Sequence, residues 1–322
     1  MKIFSKDDID FSLYESETDA QQKVKPAALW VQSLIDNLKN PVKQIRAVMP
    51  WRKTHAQINF RPGEVTIWGG ANGQGKSLIT GQVAMGFLAQ GDKCCIASFE
   101  MKPVRTLERM VRQWSGQNPN DEFIHVMPEA KKQLIDAYEQ FQVWSTNRLW
   151  IYDQQGTVDT KQVCAVVRYA VKELNINHFF IDSLMKCVAG EDDYNGQKIF
   201  VDQLTAIARD NGIHIHLIHH IKKPANENYK PNKYDYKGSG AIVDQVDNVI
   251  TVWRNKKKER AIAEGKKVDN EPDSLLICDK QRNGDWEGNI GLWFDKQSTQ
   301  FVAAEDDSAY IIYHHPETGI VN

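Results

Sequence analysis

Residues 70–77 read GANGQGKS and fit the pattern G-x-x-x-x-G-K-[ST]. Glycines let the backbone turn so that several N–H groups point inward at one anion. The apolar run VTIWG precedes this segment and a helical pattern follows it, so the helix adds the positive end of its dipole. The pattern predicts a nucleoside triphosphate site in which Lys76 contacts the β- and γ-phosphates and Ser77 holds Mg²⁺. The predicted loop residues are Gly70, Asn72, Gly73, Gln74, Gly75, Lys76, Ser77 and Leu78.

Two acidic residues each follow an apolar run, and both could serve hydrolysis at this loop. Asp182 ends HFFID and Glu100 follows CCIASF. The carboxyl ends of parallel strands are where α/β sheets place their ligands. Hydrolysis needs an acid that orients the metal and a group that activates water. The positions predict Asp182 as the acid that holds a Mg²⁺-bound water and Glu100 as the general base.

Two histidines follow a further apolar run, in HLIHHIKK at 216–223. A polar side chain at this strand end could touch the γ-phosphate and report its loss to the loop that follows. Strand-end histidines are also often merely solvated. Of the pair, we favour His220 over His219 for the functional role.

Short apolar runs alternate with helical patterns between residues 51 and 302, which predicts parallel strands joined by crossover helices. The fold class is therefore α/β, a mostly parallel sheet flanked by helices. The last runs lack long helices between them, so we expect an antiparallel C-terminal extension. The predicted strands are 65–69, 93–99, 148–152, 178–182, 213–218, 248–254, 274–279 and 290–294. The predicted helices are 76–90, 103–115, 128–145, 159–174 and 196–211.

The two ends of the chain are predicted to lie outside this domain. Residues 1–50 read as an arm with one amphipathic helix at 27–39, which cannot be stable unless it packs on a core or a neighbour. Residues 303–322 read as a short acidic tail. Between them, 116–147 predicts only a helix that covers the sheet, and the lysine run 256–258 predicts a solvated hairpin.

The composition excludes several classes of protein. A balance of 40 Lys+Arg against 42 Asp+Glu gives a net charge of −2, which excludes a protein that coats nucleic acid by bulk charge but allows a local basic loop. No apolar run is long enough for a membrane span, and the start of the chain does not resemble a signal peptide. The five cysteines lack metal-ligand spacing, which favours reduced buried thiols. Reduced thiols in turn favour a cytoplasmic location. If the chain is encoded by a phage, that location is the cytoplasm of the host cell.

Six segments in a fixed order resemble the ring-shaped replicative DNA helicases with a RecA-like core. The resemblance covers roughly residues 50–302. It is closest to the phage primase-helicase and mitochondrial Twinkle branch, which has histidine after the sensor strand and a K-x-R-x-x-G arrangement near the end. The segments are GANGQGKS, SFEM, FFIDSL, IHHIKK, YKGSGAIVDQVDNV and DKQRNGD.

The resemblance implies a hexameric ring with ATP sites between subunits. His220 matches the sensor histidine, and Arg282 matches the arginine finger that reaches into the neighbour's site. Lys280 matches the lysine beside that finger. Arg254 resembles an arginine that stacks near the nucleotide base. The nucleotide itself, ATP or another NTP or dNTP, stays open.

Two loops would face the channel of such a ring, one at 184–196 and one at 222–240. The second loop concentrates five lysines on a near-neutral chain, which suits tracking a phosphate backbone without reading sequence. Tyr229, Tyr234 and Tyr236 interleave with these lysines and could stack on bases. The predicted DNA-binding residues are Lys186, Lys222, Lys223, Lys230, Lys233, Lys237, Gly238 and Ser239.

These observations predict an ATP-driven replicative helicase that encircles single-stranded or forked DNA and, by resemblance, travels 5′ to 3′. No primase module is recognisable, so a separate primase and polymerase would be partners, and no membrane is involved. Two alternatives stay open. One is a RecA-like strand-exchange ATPase that forms filaments. The other is a nucleotide-gated DNA-binding loader that does not translocate.

Overall fold

The computed structural model describes residues 2–4, 26–39, 47–190, 192–222, 226, 228–238, 240–268 and 270–313, and the side chains of residues 2–4 and of some helical residues within these ranges are not described. Within these ranges ten strands form one sheet in the order β1-β4-β3-β5-β6-β2-β7-β8-β9-β10. The pairs from β1 to β7 are parallel. The pairs from β7 to β10 are antiparallel. The predicted fold class is confirmed.

For the strands and helices that the sequence predicts, the observed bounds agree closely with the predicted ones. The strands are β1 Lys2–Phe4, β2 Val65–Gly69, β3 Cys94–Ser98, β4 Leu149–Tyr152, β5 His178–Asp182, β6 His214–Ile218, β7 Asn248–Arg254, β8 Ser274–Gln281, β9 Gly288–Asp295 and β10 Gln300–Val302. The helices are α1 Ala27–Lys39, α2 Lys76–Ala89, α3 Pro103–Ser115, α4 Glu122–Val126, α5 Pro128–Ser145, α6 Thr160–Leu174, α7 Tyr194–Asn211, α8 Ala241–Gln245 and α9 Lys256–Ala263. Elements β1, β10, α4, α8 and α9 were not among the predicted ones.

The central strand β2 shows why the parallel strands read as unbroken apolar runs. Every residue of β2 is buried. Val65 and Ile67 belong to the core layer that also contains residues of α6 and α7. Trp68 belongs to the layer on the other face, with residues of α2 and α3. Because helices cover both faces, alternation between apolar and polar residues is lost.

The lysine run 256–258 forms the start of helix α9, so the prediction of a solvated hairpin is wrong. The Asn255 side chain accepts a hydrogen bond from the Lys258 backbone N–H and caps the helix. Lys258 is only 5% exposed, and its Nζ lies 3.0 Å from Asp273 Oδ1. The run of charges gave no sign of this burial, because the acid that pairs with Lys258 lies just before β8 and is distant in sequence.

Region 116–147 contains two helices rather than one. The short helix α4 was not predicted. Helix α5 packs on α3 through Phe141, whose ring lies 5.7 Å from that of Trp114. The chain beyond residue 302 returns to the same place, where the Ile312 and Tyr313 backbone N–H groups both donate to the Trp114 carbonyl. The first residues of the predicted tail therefore pack on the α/β domain.

A buried polar network lies at the amino ends of the parallel strands. His178 Nδ1 and His216 Nε2 are 3.1 Å apart, and His178 Nε2 lies 3.3 Å from Asp92. His214 Nε2 lies 2.8 Å from Thr66 Oγ1. Burial lowers the pKa of all three histidines, that of His214 to about 3. The three imidazoles are therefore held neutral inside the sheet.

All five cysteines are buried and free, as predicted. Among the helices that the structure describes, none has the length and apolar character needed to cross a membrane. The predicted arm at 1–50 is described only in part. Its helix α1 is present, and Ala47 and Met49 already belong to the core.

Candidate nucleotide-binding site

The carboxyl ends of β2, β3, β5 and β6 meet at one edge of the sheet and form an open cleft of about 780 Å³. Such an edge is where doubly wound sheets bind their ligands. Most of the residues predicted for the site come together here. The residues lining the cleft are Asn72, Gly73, Gln74, Gly75, Lys76, Ser77, Leu78, Phe99, Glu100, Arg109, Gln155, Gly156, Asp182, Lys186, His220 and Arg254.

The phosphate loop turns directly from β2 into α2. Gly75 precedes the first residue of the helix with φ 87°, a conformation that side chains of L residues rarely adopt. Gly70 lies close to β7, where a Cβ would come 2.8 Å from the Val252 carbonyl oxygen. The loop therefore presents the amino end of α2 to the cleft, which favours an anion.

Lys76 is buried at the base of the loop. Its Nζ donates to the carbonyl oxygens of Gly70 at 2.8 Å and Ala71 at 3.1 Å, and lies 3.4 Å from His220 Nδ1. Burial lowers the pKa of the Lys76 ammonium, while the nearby carboxylates of Asp182 and Glu100 raise it. The group is thus a cation held at the floor of the cleft among hydrogen-bond acceptors.

Ser77 and Asp182 form the oxygen pair predicted for the metal. Ser77 Oγ donates to Asp182 Oδ2 at 2.7 Å. Burial raises the pKa of the Asp182 carboxyl, and a nearby cation would favour its ionised form. Among the described residues no cluster of three or more His, Cys, Asp or Glu could hold a metal. One hydroxyl and one carboxylate fit Mg²⁺, which is usually bound by one or two carboxylates together with substrate phosphates and water.

Glu100 extends into the cleft from the end of β3. Ser183 Oγ donates to Glu100 Oε1 at 2.9 Å, and His220 Nε2 lies 3.6 Å from the same oxygen. The His220 imidazole and the Ser183 hydroxyl lower the pKa of Glu100 to about 2, although burial acts in the opposite direction. Glu100 is therefore ionised at neutral pH and is a strong hydrogen-bond acceptor but a weak base.

The two adjacent histidines point to different places because they alternate at the end of β6. His220 lies between Lys76 and Glu100 in the cleft. His219 is fully buried, and its Nε2 lies 2.7 Å from the Lys237 carbonyl oxygen. Burial lowers the pKa of His219 to about 4. His219 thus holds the base of the following loop, and only His220 can meet a nucleotide.

Arg254 lies at the rim of the cleft, at the end of β7. Its Nη1 donates to the Gly73 carbonyl oxygen at 3.2 Å, and its backbone N–H donates to the Gln74 side chain. The guanidinium also forms an ion pair with Glu259. Arg254 is therefore attached to the phosphate loop from outside.

Arg282 and Lys280 lie at the opposite edge of the sheet. In the β7–β8 pair, Arg254 is opposite Ser274 and Asn248 is opposite Gln281, so the two edges are separated by about 20 Å of strand. Arg282 Nη1 lies 3.0 Å from Asp247 Oδ1. Lys280 Nζ donates to the Val243 and Asp244 carbonyl oxygens. Neither side chain can reach the cleft of its own chain.

The loop predicted to bind DNA starts beside His220 and is closed at its base. The Lys237 backbone N–H donates to the His220 carbonyl oxygen, and the Lys222 N–H donates to the Asp235 carbonyl oxygen. Lys230 lies 5.5 Å from the ring centroid of Trp253, and Lys233 Nζ donates to the Asp279 carbonyl oxygen at 3.4 Å. The loop thus lies across β7 and β8. Predicted residues Lys223 and Ser239 lie outside the described residues.

Two residues of this loop have structural positions that the sequence did not reveal. Tyr236 is 4% exposed, and its hydroxyl oxygen lies 2.9 Å from Thr251 Oγ1, so it cannot stack on a base. A Cβ on Gly238 would come 1.8 Å from Gln197 Oε1, so this glycine permits close contact with α7. Tyr234 is 79% exposed, so its stacking on a base stays a prediction.

Several residues lining the cleft were not predicted to belong to it. Lys186, which the sequence predicts to contact DNA, lines the cleft near Glu100. Its contact with DNA stays a prediction. Gln155 follows β4, so the rule that polar residues at strand ends meet at one edge could have found it. Arg109 lies within α3, where its sequence gave no signal.

A phosphate loop at the carboxyl edge of this sheet order defines a P-loop nucleotide-binding domain. The family model "DnaB-like helicase C terminal domain" matches residues 55–303, and the chain belongs to that family. The replicative DNA helicase DnaB of Treponema pallidum (strain Nichols) is 26% identical over 254 residues, which is 76% of this chain and 52% of the relative. The chain therefore spans about half the length of this curated relative.

Solved structures agree on the fold. A solved structure described as an ATPase domain superposes with a TM-score of 0.72 at 16% identity, covering 88% of this chain and all of the other. A structure described as a DnaB-like replicative helicase and its interactions with primase has a TM-score of 0.70 at 15% identity, covering 87% of this chain and 67% of the other. The predicted RecA-like helicase fold is confirmed, while the predicted phage branch stays a prediction.

Proposed function

We propose that this protein is an NTP-driven DNA helicase that encircles single-stranded DNA and unwinds the duplex ahead of it in the 5′ to 3′ direction. Its membership of the DnaB-like family supports a replicative role. The cleft supports hydrolysis of a nucleoside triphosphate, ATP or a related NTP or dNTP, together with Mg²⁺. In this proposal residues 51–302 form the motor, with an arm at 1–50 and an acidic tail at 303–322.

One observation carries the proposal: the hydrolytic groups lie at two opposite edges of the sheet. Lys76, Asp182 and Glu100 meet in the cleft, while Arg282 lies at the other edge. A complete site then needs the cleft of one subunit and the arginine of the next. Such a head-to-tail interface uses two different surfaces and closes into a ring when the rotation permits it. We propose a homo-hexamer.

Each residue of the cleft then has a distinct task. The phosphate loop and Lys76 would hold the β- and γ-phosphates, and Ser77 and Asp182 would hold Mg²⁺, which would neutralise charge on the phosphates. Glu100 orients the attacking water as an ionised acceptor. Because its low pKa makes it a weak base, orientation contributes more than full proton abstraction. His220 touches both Lys76 and Glu100, so it can relay loss of the γ-phosphate to the loop that follows it.

The DNA would be held by its phosphates in the central channel. The lysines of the loop after His220 supply charge next to the sensor, which would couple hydrolysis to movement. Phosphate contacts of this kind make binding strongly dependent on salt and independent of sequence. The proposed DNA-binding residues are Lys186, Lys222, Lys223, Lys230, Lys233, Lys237, Gly238 and Ser239.

Helix α1 carries an apolar stripe that supports docking on a neighbouring subunit. Val31, Leu34, Ile35 and Leu38 recur at helical spacing, and each is more than one-third exposed. An amphipathic helix of this length needs a partner surface to be stable. We further propose that a separate primase and polymerase act with the ring.

The decisive experiment measures ATP hydrolysis with and without single-stranded DNA, together with unwinding of a forked duplex that carries a 5′ tail. We expect strong stimulation by DNA and unwinding, both abolished in Lys76→Ala. Stimulation without unwinding would favour the strand-exchange alternative. Turnover that DNA does not change would favour the non-translocating loader.

Replacing Glu100 with Gln is expected to separate binding from hydrolysis. The amide keeps the size of the side chain but loses the charge that orients water, so kcat should fall about a hundredfold or more. Affinity for Mg·ATP, measured by calorimetry, should stay near that of the wild type. A Glu100→Gln protein with normal kcat would remove Glu100 from the mechanism.

A further inference from the structure

Arg254 separates two cavities. The first is the nucleotide cleft, and the second is a side pocket of about 300 Å³ beside it. Arg254 lines both, as do Gln74, Gly75 and Leu78 of the phosphate loop. The remaining wall of the side pocket includes the apolar side chains of Ile262, Phe294 and Phe301.

Protein acceptors hold all three nitrogens of the Arg254 guanidinium. The Nε group and Nη2 both donate to the Glu259 carboxylate, the latter at 2.9 Å, and Nη1 donates to the Gly73 carbonyl oxygen at 3.2 Å. Hydrogen bonds to a guanidinium lie in its plane. Three of the five N–H groups are thereby held in this plane. The two flat faces of the group lie outside the plane, and a guanidinium face stacks well on an aromatic ring.

Glu259 is itself held in place because helix α9 is anchored. Lys258 is buried next to it, where its Nζ lies 3.0 Å from Asp273 Oδ1 and donates to the Glu271 carbonyl oxygen at 2.6 Å. Asn255 caps the helix and also donates to Glu271. The carboxylate of Glu259 thus projects from a fixed support toward the phosphate loop.

We propose that Glu259 is a positioning residue that fixes the Arg254 guanidinium so that one of its faces stacks on the nucleobase of the bound nucleoside triphosphate. This inference rests on the proposed function, because it requires that the cleft binds a nucleotide. It adds that different residues bind the two parts of the nucleotide. The loop holds the phosphates, and the α9–Arg254 pair recognises that a base is attached to them.

The Arg254–Glu259 ion pair is better suited to orienting the Arg254 side chain than to stabilising the fold. Arg254 and Glu259 have side chains 46% and 39% exposed, and ion pairs this exposed contribute little to folding. The bidentate geometry instead restricts the rotation of a long side chain. Loss of Glu259 should therefore leave the fold intact and release the guanidinium.

The test compares two ligands that share phosphates but differ in the base. Calorimetry would measure the binding of Mg·ATP and of Mg·tripolyphosphate to the wild type, Arg254→Ala, Glu259→Ala and the double variant. We expect each single variant to bind ATP about three- to thirtyfold more weakly, the range of a cation–aromatic contact. Tripolyphosphate affinity should change less than ATP affinity, because tripolyphosphate has no base to stack on Arg254. The double variant should bind ATP no more weakly than Arg254→Ala, because Glu259 acts only through Arg254.

Two further variants distinguish positioning from a general effect on α9. Glu264→Ala removes a carboxylate from the end of the same helix, where it pairs with Lys266, and should bind ATP normally. Glu259→Asp should recover part of the affinity that Glu259→Ala loses.

Three results would overturn the proposal. The first is unchanged ATP binding in Glu259→Ala, and the second is an equal loss of ATP and tripolyphosphate affinity. Both leave the nucleotide site itself standing. The third is a wild type that binds neither ligand, which would contradict the proposed function as well.

Discussion

Arg282→Ala subunits and Lys76→Ala subunits, each inactive alone, are expected to recover ATP hydrolysis when they are mixed. Arg282 lies at the edge of the sheet opposite its own phosphate loop, so in the proposed ring it would serve a neighbour's site. In a mixed ring, an interface formed by the cleft of an Arg282→Ala subunit and the arginine of a Lys76→Ala subunit is complete. Random mixing makes about one interface in four complete.

The size of the single defects makes this rescue easy to detect. Loss of an arginine that stabilises transition-state charge in trans costs on the order of a thousandfold in rate. Nucleotide binding by Arg282→Ala should stay intact, because no nucleotide contact is lost within its own cleft. Arg209→Ala provides a matched control, since Arg209 also approaches Asp247, at 3.9 Å, and should remain active. Mixed rings that form but stay inactive would show that Arg282 does not act in trans.

Acid is expected to unfold the protein steeply below about pH 6.5. Burial lowers the pKa of four histidines in the folded state, so the unfolded chain binds more protons as the pH falls. They are His178, His214, His216 and His219. The stabilisation is fully present above the unfolded pKa of about 6.5 and is lost progressively below it. Each additional proton taken up on unfolding shifts the unfolding equilibrium about tenfold per pH unit.

Urea titrations at a series of pH values would measure this proton uptake. The slope should approach about three protons near pH 5, from His214, His216 and His219, with a further contribution from His178. The variant His214→Asn should reduce the slope by about one proton. The asparagine amide can still donate to the Arg61 carbonyl oxygen in place of His214 Nδ1, whereas the contact of Nε2 with Thr66 is lost. His55, whose ring lies outside this network near the Met49 carbonyl oxygen, supplies the control substitution. Stability that does not vary with pH over this range would contradict the buried neutral histidines.

Most of the fold and the cleft could be predicted because their signals are local. The apolar runs that form β2, β3 and β5 are short, and polar residues follow each of them at the sheet edge. Asp182 and Glu100 were placed in the site by that rule alone. Their hydrogen bonds to Ser77 and Ser183 then follow from parallel strands ending side by side.

What could not be predicted depends on partners distant in sequence. Lys258 belongs to a run of charges that reads as solvated, but Asp273 and the Glu271 carbonyl bury it. Tyr236 lies in a loop among lysines, and it is buried because Gly69 leaves room for its ring; a Cβ at Gly69 would come 2.2 Å from the Tyr236 hydroxyl. The burial of such side chains depends on tertiary packing, and no periodic pattern in the sequence indicates it.

Strand β2 connects the region that holds Arg282 to the phosphate loop, which determines how substitutions in this strand should behave when subunits are mixed. At one end the Val65 N–H donates to Asp247, the acid that holds Arg282, and at the other end Gly69 enters the phosphate loop. In the proposed ring, the five residues of β2 would join the part of a subunit that donates Arg282 to the part that binds the nucleotide. A lesion in β2 should damage both parts together, so neither inactive partner could complement it. Substitutions in β2 should therefore restore hydrolysis neither with Arg282→Ala subunits nor with Lys76→Ala subunits.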